Sequence, residues 1–172
     1  MTEHIKATPV RRARAAAPLR AAEAAEYLLR AAHEHGSFIS NLKLQKMLYY
    51  AQGWHLALRG GPLFPERFEA WVHGPVVRSV YQQYKGFGWR SIDTDVSNPA
   101  VDEATAAVLD GVVQRYLPLD AYALELMTHR EPPWLAARGD LPIDAWSDEE
   151  IDLEMMRDFF TDLAAEEAAA AR

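Results

Sequence analysis

The chain has 172 residues, 49% apolar and 25% charged, which is typical of one soluble globular domain and excludes collagen, coiled-coil and wholly disordered proteins. It has no cysteine, which excludes disulfides and thiolate metal sites and favours the reducing cytoplasm, and no apolar run reaches the ~18 residues of a membrane span. The net charge of −7 divides into +4 over residues 1–20 and −11 over the rest, so only the N-terminal segment is able to attract nucleic acid.

The two ends of the chain differ in composition from its middle. Residues 1–19 alternate arginine with alanine, contain two prolines and have no apolar periodicity, so we predict a flexible basic arm. The arm lacks the apolar centre of a secretory signal, and its arginine content is also compatible with an organelle transit peptide. We therefore predict one domain over residues 20–165, followed by an alanine-rich end over residues 166–172 that frays.

Two helices are predicted at the start of the domain. The first covers about residues 21–35, and the second, capped by Ser40, covers about residues 41–58. Apolar side chains follow two opposite sides of the second helix, which is typical of the central helix of a helical domain. A narrow polar strip on this helix contains Lys43 and Lys46. It is interpreted either as part of a binding surface or as a solvated face, and both interpretations place it at the surface.

A short strand follows the second helix. Residues 68–72 alternate between apolar and polar side chains, as a half-buried strand does. Gly74 is expected to end the strand, and Pro75 is expected to begin a helix that ends at Gly86. Residues 89–92 are expected to pair with the strand.

Three further helices are predicted in the C-terminal half. Their starts are expected at Asn98, at Asp120 and at a capping box formed by Ser147 with Glu150. Residues 131–133, which include two prolines, are expected to break the chain. The predicted fold is therefore mainly α, a compact single helical domain with a small β-ribbon.

The sequence shows no recognisable catalytic, cofactor-binding or metal-binding motif. It has no nucleophile elbow, phosphate-binding loop or dinucleotide fingerprint. Its six histidines form no paired metal signature, although His55, His73 and His129 are able to meet in the fold. We therefore predict no catalytic residue, no cofactor and no metal, and we favour a binding module over an enzyme.

Three segments resemble, in order, the signature motifs of the Panacea-domain antitoxins, the SocA-like family. They are residues 39–55 (ISNLKLQKMLYYAQGWH), 68–77 (FEAWVHGPVV) and 126–134 (LMTHREPPW). The resemblance covers about residues 21–138. It implies a bacterial or phage protein that binds and neutralises a cognate toxin encoded by the adjacent gene. An alternative known in this family is an adaptor that delivers the toxin to a ClpXP-type protease.

An antitoxin needs an exposed surface that is complementary to its toxin. Aromatic and charged side chains dominate such surfaces, so we select the polar or amphipathic residues of the motifs as toxin-binding candidates. They are Lys43, Lys46, Glu69, Trp71 and His73. Each also has a structural interpretation, such as core packing for Trp71. A histidine-dependent hydrolase and a nucleic-acid-binding protein acting through the basic arm remain alternatives.

Overall fold

The computed structural model describes residues 18–172, so nearly all of the predicted basic arm lies outside the described residues. Over this range the elements are α1 (Ala21–Glu34), α2 (Asn41–Arg59), β1 (Glu69–Trp71), β2 (Gly74–Val76), α3 (Arg78–Tyr84), a 3₁₀ turn (Lys85–Phe87), α4 (Glu103–Tyr116), α5 (Ala121–Thr128), α6 (Pro132–Arg138) and α7 (Leu153–Ala170). The prediction of a mainly α domain with a small β-ribbon is confirmed.

The helix α2 forms the centre of the core, as its two apolar sides predict. The other elements that pack against it are α1, α3, α4, α5, α7 and β2. Ser40 caps it by accepting a hydrogen bond from the Lys43 amide at 3.3 Å. On its far side the ring of Phe160 from α7 packs edge-on against Tyr49 and Trp54, each at a centroid distance of 5.6 Å.

The ribbon is a hairpin, and the prediction that Pro75 begins a helix is wrong. The strands β1 and β2 are antiparallel, with Ala70 opposite Pro75, and α3 begins only at Arg78. Side chains of α2 hold this segment extended, because the Gln45 Oε1 atom accepts from the Val77 amide at 3.0 Å. This hydrogen bond outweighs the local preference of a proline for the first turn of a helix.

The partner of β1 on its second edge also differs from the prediction. Residues 89–92 do not pair with β1; instead the Ile92 amide donates to the Ile39 carbonyl at 2.8 Å, just before α2. The segment before α7 takes the place beside β1, where the Ala70 amide donates to the Glu149 carbonyl at 2.8 Å. Both edges of β1 are therefore covered.

Two of the three predicted helix starts are wrong. The helix α4 is capped by Asp102 rather than by Asn98, and α7 is capped by Asp152 rather than by Ser147. The segment that contains the expected capping box pairs with β1, so it is not available for a helical turn. The third start is confirmed, because Asp120 accepts from the Ala123 amide at 2.7 Å and caps α5.

The chain break predicted at residues 131–133 separates α5 from α6. Pro132 and Pro133 occupy the first turn of α6, where a missing amide hydrogen costs no helical hydrogen bond. At the N-terminal end Leu19, inside the predicted arm, is buried in the core, and at the C-terminal end α7 continues past Glu166 to Ala170. None of the described helices combines the length and the apolar surface needed to span a bilayer.

Candidate interaction site

The two lysines of the predicted polar strip lie in different environments. Lys46 is fully buried, and its Nζ atom donates to the Pro75 carbonyl at 2.9 Å. Lys43 is half-buried and donates to the Leu117 carbonyl at 2.6 Å. The expectation that the strip lies at the surface is therefore wrong for Lys46, because β2 and α5 cover that side of α2.

Glu69 is buried in β1 and holds two larger side chains in place. Its carboxylate accepts from Trp71 Nε1 at 2.6 Å and from Arg78 Nε and Nη2 at 3.0 and 2.8 Å. Burial raises the pKa of Glu69, but the hydrogen bonds from Arg78 and Trp71 outweigh burial and hold the pKa below its ordinary value. The Arg78 guanidinium lies 5.4 Å from the centroid of the Trp71 ring, so the three side chains form one unit.

The Trp71 side chain forms part of an open groove of about 480 Å³, which we call the aromatic groove. Its wall combines the hairpin, the start of α2, the region of α3 and the loop before α7. The groove-lining side chains of interest are aromatic or basic: Trp71, His73, Tyr81, Lys85, Trp89 and Trp146. The Trp71 and Tyr81 rings meet edge-on, with their centroids 4.8 Å apart.

Two tryptophans of the aromatic groove are unusually exposed. Trp89 is 79% exposed and Trp146 is 68% exposed, whereas tryptophan is on average a highly buried residue. Gly88 has a φ of +58° and a ψ of −125°, a backbone conformation that only glycine adopts readily, and it turns the chain into Trp89. Exposed large apolar side chains gathered in one place are typical of an interaction surface.

A charged cluster lies beneath the hairpin turn. The carboxylate oxygen Oε1 of Glu125 lies 2.9 Å from His73 Nδ1 and 3.9 Å from His129 Nε2. Burial lowers the pKa of Lys46 to about 7, and Glu125 opposes this shift in part. A Cβ atom at Gly74, where φ is +101°, would approach the Lys46 side chain to 2.8 Å. The turn therefore requires glycine to close over the lysine.

Two of the three histidines that the sequence allowed to meet do so. His73 and His129 both face Glu125, whereas His55 lies apart, with its Nδ1 atom 2.6 Å from the Gly61 carbonyl. Burial lowers the pKa of His129. Within residues 18–172, no group of three or more histidine or carboxylate side chains is arranged to hold a metal ion.

Of the residues selected from the sequence, Trp71 and His73 line the aromatic groove, whereas most of its other lining residues are not among those selected. The sequence analysis places Trp89 in a segment expected to pair with the strand and makes no prediction for Trp146. The signal that distinguishes Trp146 is its position between Asp144 and Asp148, since a tryptophan in a non-periodic acidic segment has no helical or strand face on which to be buried.

Comparison with known proteins places the chain in a family. The model of the family described as "Antitoxin SocA-like, Panacea domain" matches residues 44–135, just over half of the chain. Antitoxin SocA of Caulobacter vibrioides (strain NA1000 / CB15N) is 50% identical over 50 residues, which span 29% of this chain and 27% of that relative. No solved structure matches the chain. The resemblance read from the three motifs is thereby confirmed, and this chain belongs to the SocA-like antitoxin family with a Panacea domain.

Proposed function

We propose that this chain neutralises a toxin by binding it directly, and that the aromatic groove forms part of the contact surface. Membership of an antitoxin family supports the first part of this proposal. The observation that supports the second part is the exposure of Trp89 and Trp146 beside Trp71. Tryptophan, tyrosine and arginine are the residue types that contribute most to binding energy at protein interfaces.

The five residues selected from the sequence take different roles in this proposal. Trp71 and His73 line the aromatic groove and are proposed to touch the toxin. Glu69 and Lys46 are buried, and we propose that they hold the groove wall in shape rather than contact the toxin. Lys43 is half-buried and donates a hydrogen bond to the Leu117 carbonyl at the end of α4. That it contacts the toxin stays a prediction.

The experiment is co-expression with the toxin encoded by the adjacent gene. We expect this chain to restore growth and to elute with the toxin as one complex. Trp89→Ala is expected to weaken the complex by about 2 kcal/mol, roughly 30-fold in Kd, as the loss of an interface hot spot does. Tyr122→Ala removes a 67% exposed aromatic residue that does not line the aromatic groove, and it serves as the matched control.

The outcomes separate blocking from degradation. Rescue with a stable complex supports blocking. Rescue in which toxin levels fall, and which disappears when a ClpXP-type protease is removed, supports the adaptor role instead. If the adjacent protein neither binds this chain nor loses its toxicity, the proposal fails. Equal effects of Trp89→Ala and Tyr122→Ala would exclude the aromatic groove as the contact surface.

A further inference from the structure

We infer that the aromatic groove accepts a partner segment in which a large apolar side chain stands next to a carboxylate. This inference rests on the proposed function and describes the chemistry of the toxin segment that the groove would hold. It depends on three features of the groove, namely its hydrogen-bonding groups, its charge and its size.

Three side chains of the aromatic groove, Lys85, Trp89 and Trp146, carry polar groups that can only donate hydrogen bonds. Among residues 18–172, no side chain accepts a hydrogen bond from Lys85 Nζ, Trp89 Nε1 or Trp146 Nε1, and no carboxylate pairs with Lys85. An ammonium group and an indole N–H donate hydrogen bonds and accept none. A segment that displaces water from these groups is favoured when it supplies acceptors to them.

The charge of the aromatic groove is opposite to that of the protein. The chain has 25 acidic and 18 basic residues, yet none of the described residues that line the groove is acidic, and Lys85 and His73 are its basic members. Three carboxylates near the groove already have partners: Glu69 accepts from Arg78, Asp148 lies 3.7 Å from the Arg78 guanidinium, and Glu125 faces His73. An incoming carboxylate meets Lys85 without breaking an existing ion pair.

The rest of the aromatic groove favours an apolar side chain. Its volume of about 480 Å³ lies in the ~300–1,000 Å³ range of ligand-binding clefts. The rings of Trp71 and Tyr81 offer an edge-to-face setting in which another aromatic ring packs well. A basic side chain is also attracted to indole faces, but Lys85 in the same groove opposes it by charge repulsion.

Short peptides test this chemistry without the toxin. The probes are the acetylated and amidated tetrapeptides Gly-Phe-Glu-Gly, Gly-Phe-Gln-Gly and Gly-Phe-Lys-Gly, added to the isotope-labelled full chain. The measurement is the NMR shift of the Trp89 and Trp146 indole N–H signals. We expect the Phe-Glu peptide to shift both signals and to bind about tenfold more tightly than the Phe-Lys peptide, with the Phe-Gln peptide between them.

A charge-reversal pair identifies the residue responsible. Lys85→Glu is expected to reverse the order, so that the Phe-Lys peptide binds best. Arg59→Glu makes the same change of charge on an exposed residue at the end of α2, about 21 Å along the helix from Gln45 of the groove, and is expected to leave the order unchanged.

The inference is overturned if the Phe-Lys peptide binds as tightly as the Phe-Glu peptide or if Lys85→Glu leaves the order intact. The absence of any shift at the two indoles at millimolar peptide concentration overturns it as well. A normal peptide order with no toxin rescue contradicts the proposed function alone, whereas toxin rescue with no peptide preference contradicts this inference alone.

Discussion

Lys46 is a charged residue with a structural role in the interior of this domain. Its ammonium group is fully buried, donates to the Pro75 carbonyl and lies near Glu125 and His129. Burying an ammonium group costs free energy unless it is hydrogen-bonded and its charge is balanced. The buried lysine positions β2, because its side chain connects the central helix to this strand. The strand β2 in turn forms one wall of the aromatic groove.

The stability contributed by Lys46 is expected to depend on pH. Its pKa is about 7 in the folded chain and near the ordinary 10.5 when unfolded, so between these values the unfolded state binds more protons and stability rises with pH. The Lys46→Met variant lacks this rise in the free energy of unfolding. Any gain in stability that it has over the wild type is therefore largest at about pH 6–7 and decreases towards pH 10. Urea unfolding across this range measures the difference.

Lys85→Met is the control for that series. The Lys85 side chain is exposed, so its replacement is expected to leave the pH dependence of the wild type in place. If the curves of Lys46→Met and wild type run parallel from pH 7 to 10, the buried lysine does not titrate as described.

Glu131 is expected to show a pH dependence of opposite sign. Burial raises its pKa to about 7 against the opposing effects of the Tyr50 hydrogen bond and of Arg115. The folded state therefore retains a proton between the ordinary pKa of 4.5 and about 7, and stability falls as pH rises through this window. Glu131→Gln keeps the side-chain shape and removes the titration. The stability of the variant relative to the wild type is therefore expected to increase as the pH rises to about 7. Equal pH slopes in chemical unfolding would contradict the assignment.

The sequence does not determine how exposed the selected residues are. Trp71 and His73 are selected from the motifs as binding candidates, and the structure places both in the lining of the aromatic groove. A helical projection shows only which side of α2 Lys46 occupies, so both interpretations of the polar strip place this lysine at the surface. Its burial is decided by β2 and α5, which cover that side and are distant in sequence.

At the level of helices and strands, local signals succeed where no distant contact competes with them. Ser40 and Asp120 cap the helices that they were expected to cap. Ser147 with Glu150 has an equally good capping pattern, but backbone hydrogen bonds to β1 hold that segment extended. Pro75 is a similar case, because side chains of α2 bind the segment around it.

Two helical glycines, one at the contact between α2 and α7 and one in α4, are expected to respond in opposite ways to replacement by alanine. A Cβ atom at Gly53 would overlap the ring of Phe160, so Gly53→Ala is expected to destabilise the fold by about 1–3 kcal/mol despite a gain of about 1 kcal/mol in helix propensity. Gly111→Ala in α4 gains the same propensity and meets no atom within 4 Å, so it is expected to stabilise. Thermal unfolding of both variants measures the contrast, and a stabilised Gly53→Ala would show that α7 moves aside at little cost.

For the whole domain, the mainly α architecture follows from one helix, whereas the aromatic groove does not follow from any single segment. A helix that is apolar on two sides requires other helices around it, and the sequence of α2 shows this directly. The aromatic groove combines residues from 41–45, 71–76 and 81–89 with residue 146, and its shape depends on how these segments meet. Pattern analysis of one segment at a time cannot assemble it.

The N-terminal boundary of the core is also testable. The core formed by the described residues begins with Leu19, and the Ala21 amide donates to Glu66 Oε2 at 3.0 Å. We expect deletion of residues 1–17 to leave Tm within a few degrees of that of the full chain, because the contacts of this core are retained. Deletion of residues 1–20 also removes the buried leucine and should lower Tm further. A large loss with the shorter deletion would show that residues 1–17 dock on the domain.

The docking of Phe160 against Tyr49 and Trp54 has a consequence for synthesis on the ribosome. Phe160 follows Trp54 by 106 residues in the sequence. At a synthesis rate of about 5–20 residues per second, the aromatic side of α2 therefore remains uncovered for roughly 5–20 seconds after Trp54 is added. A chain terminated before this residue retains an uncovered aromatic surface of the kind that chaperones and proteases recognise. Completion of the last helix is therefore the step of synthesis that covers this aromatic surface.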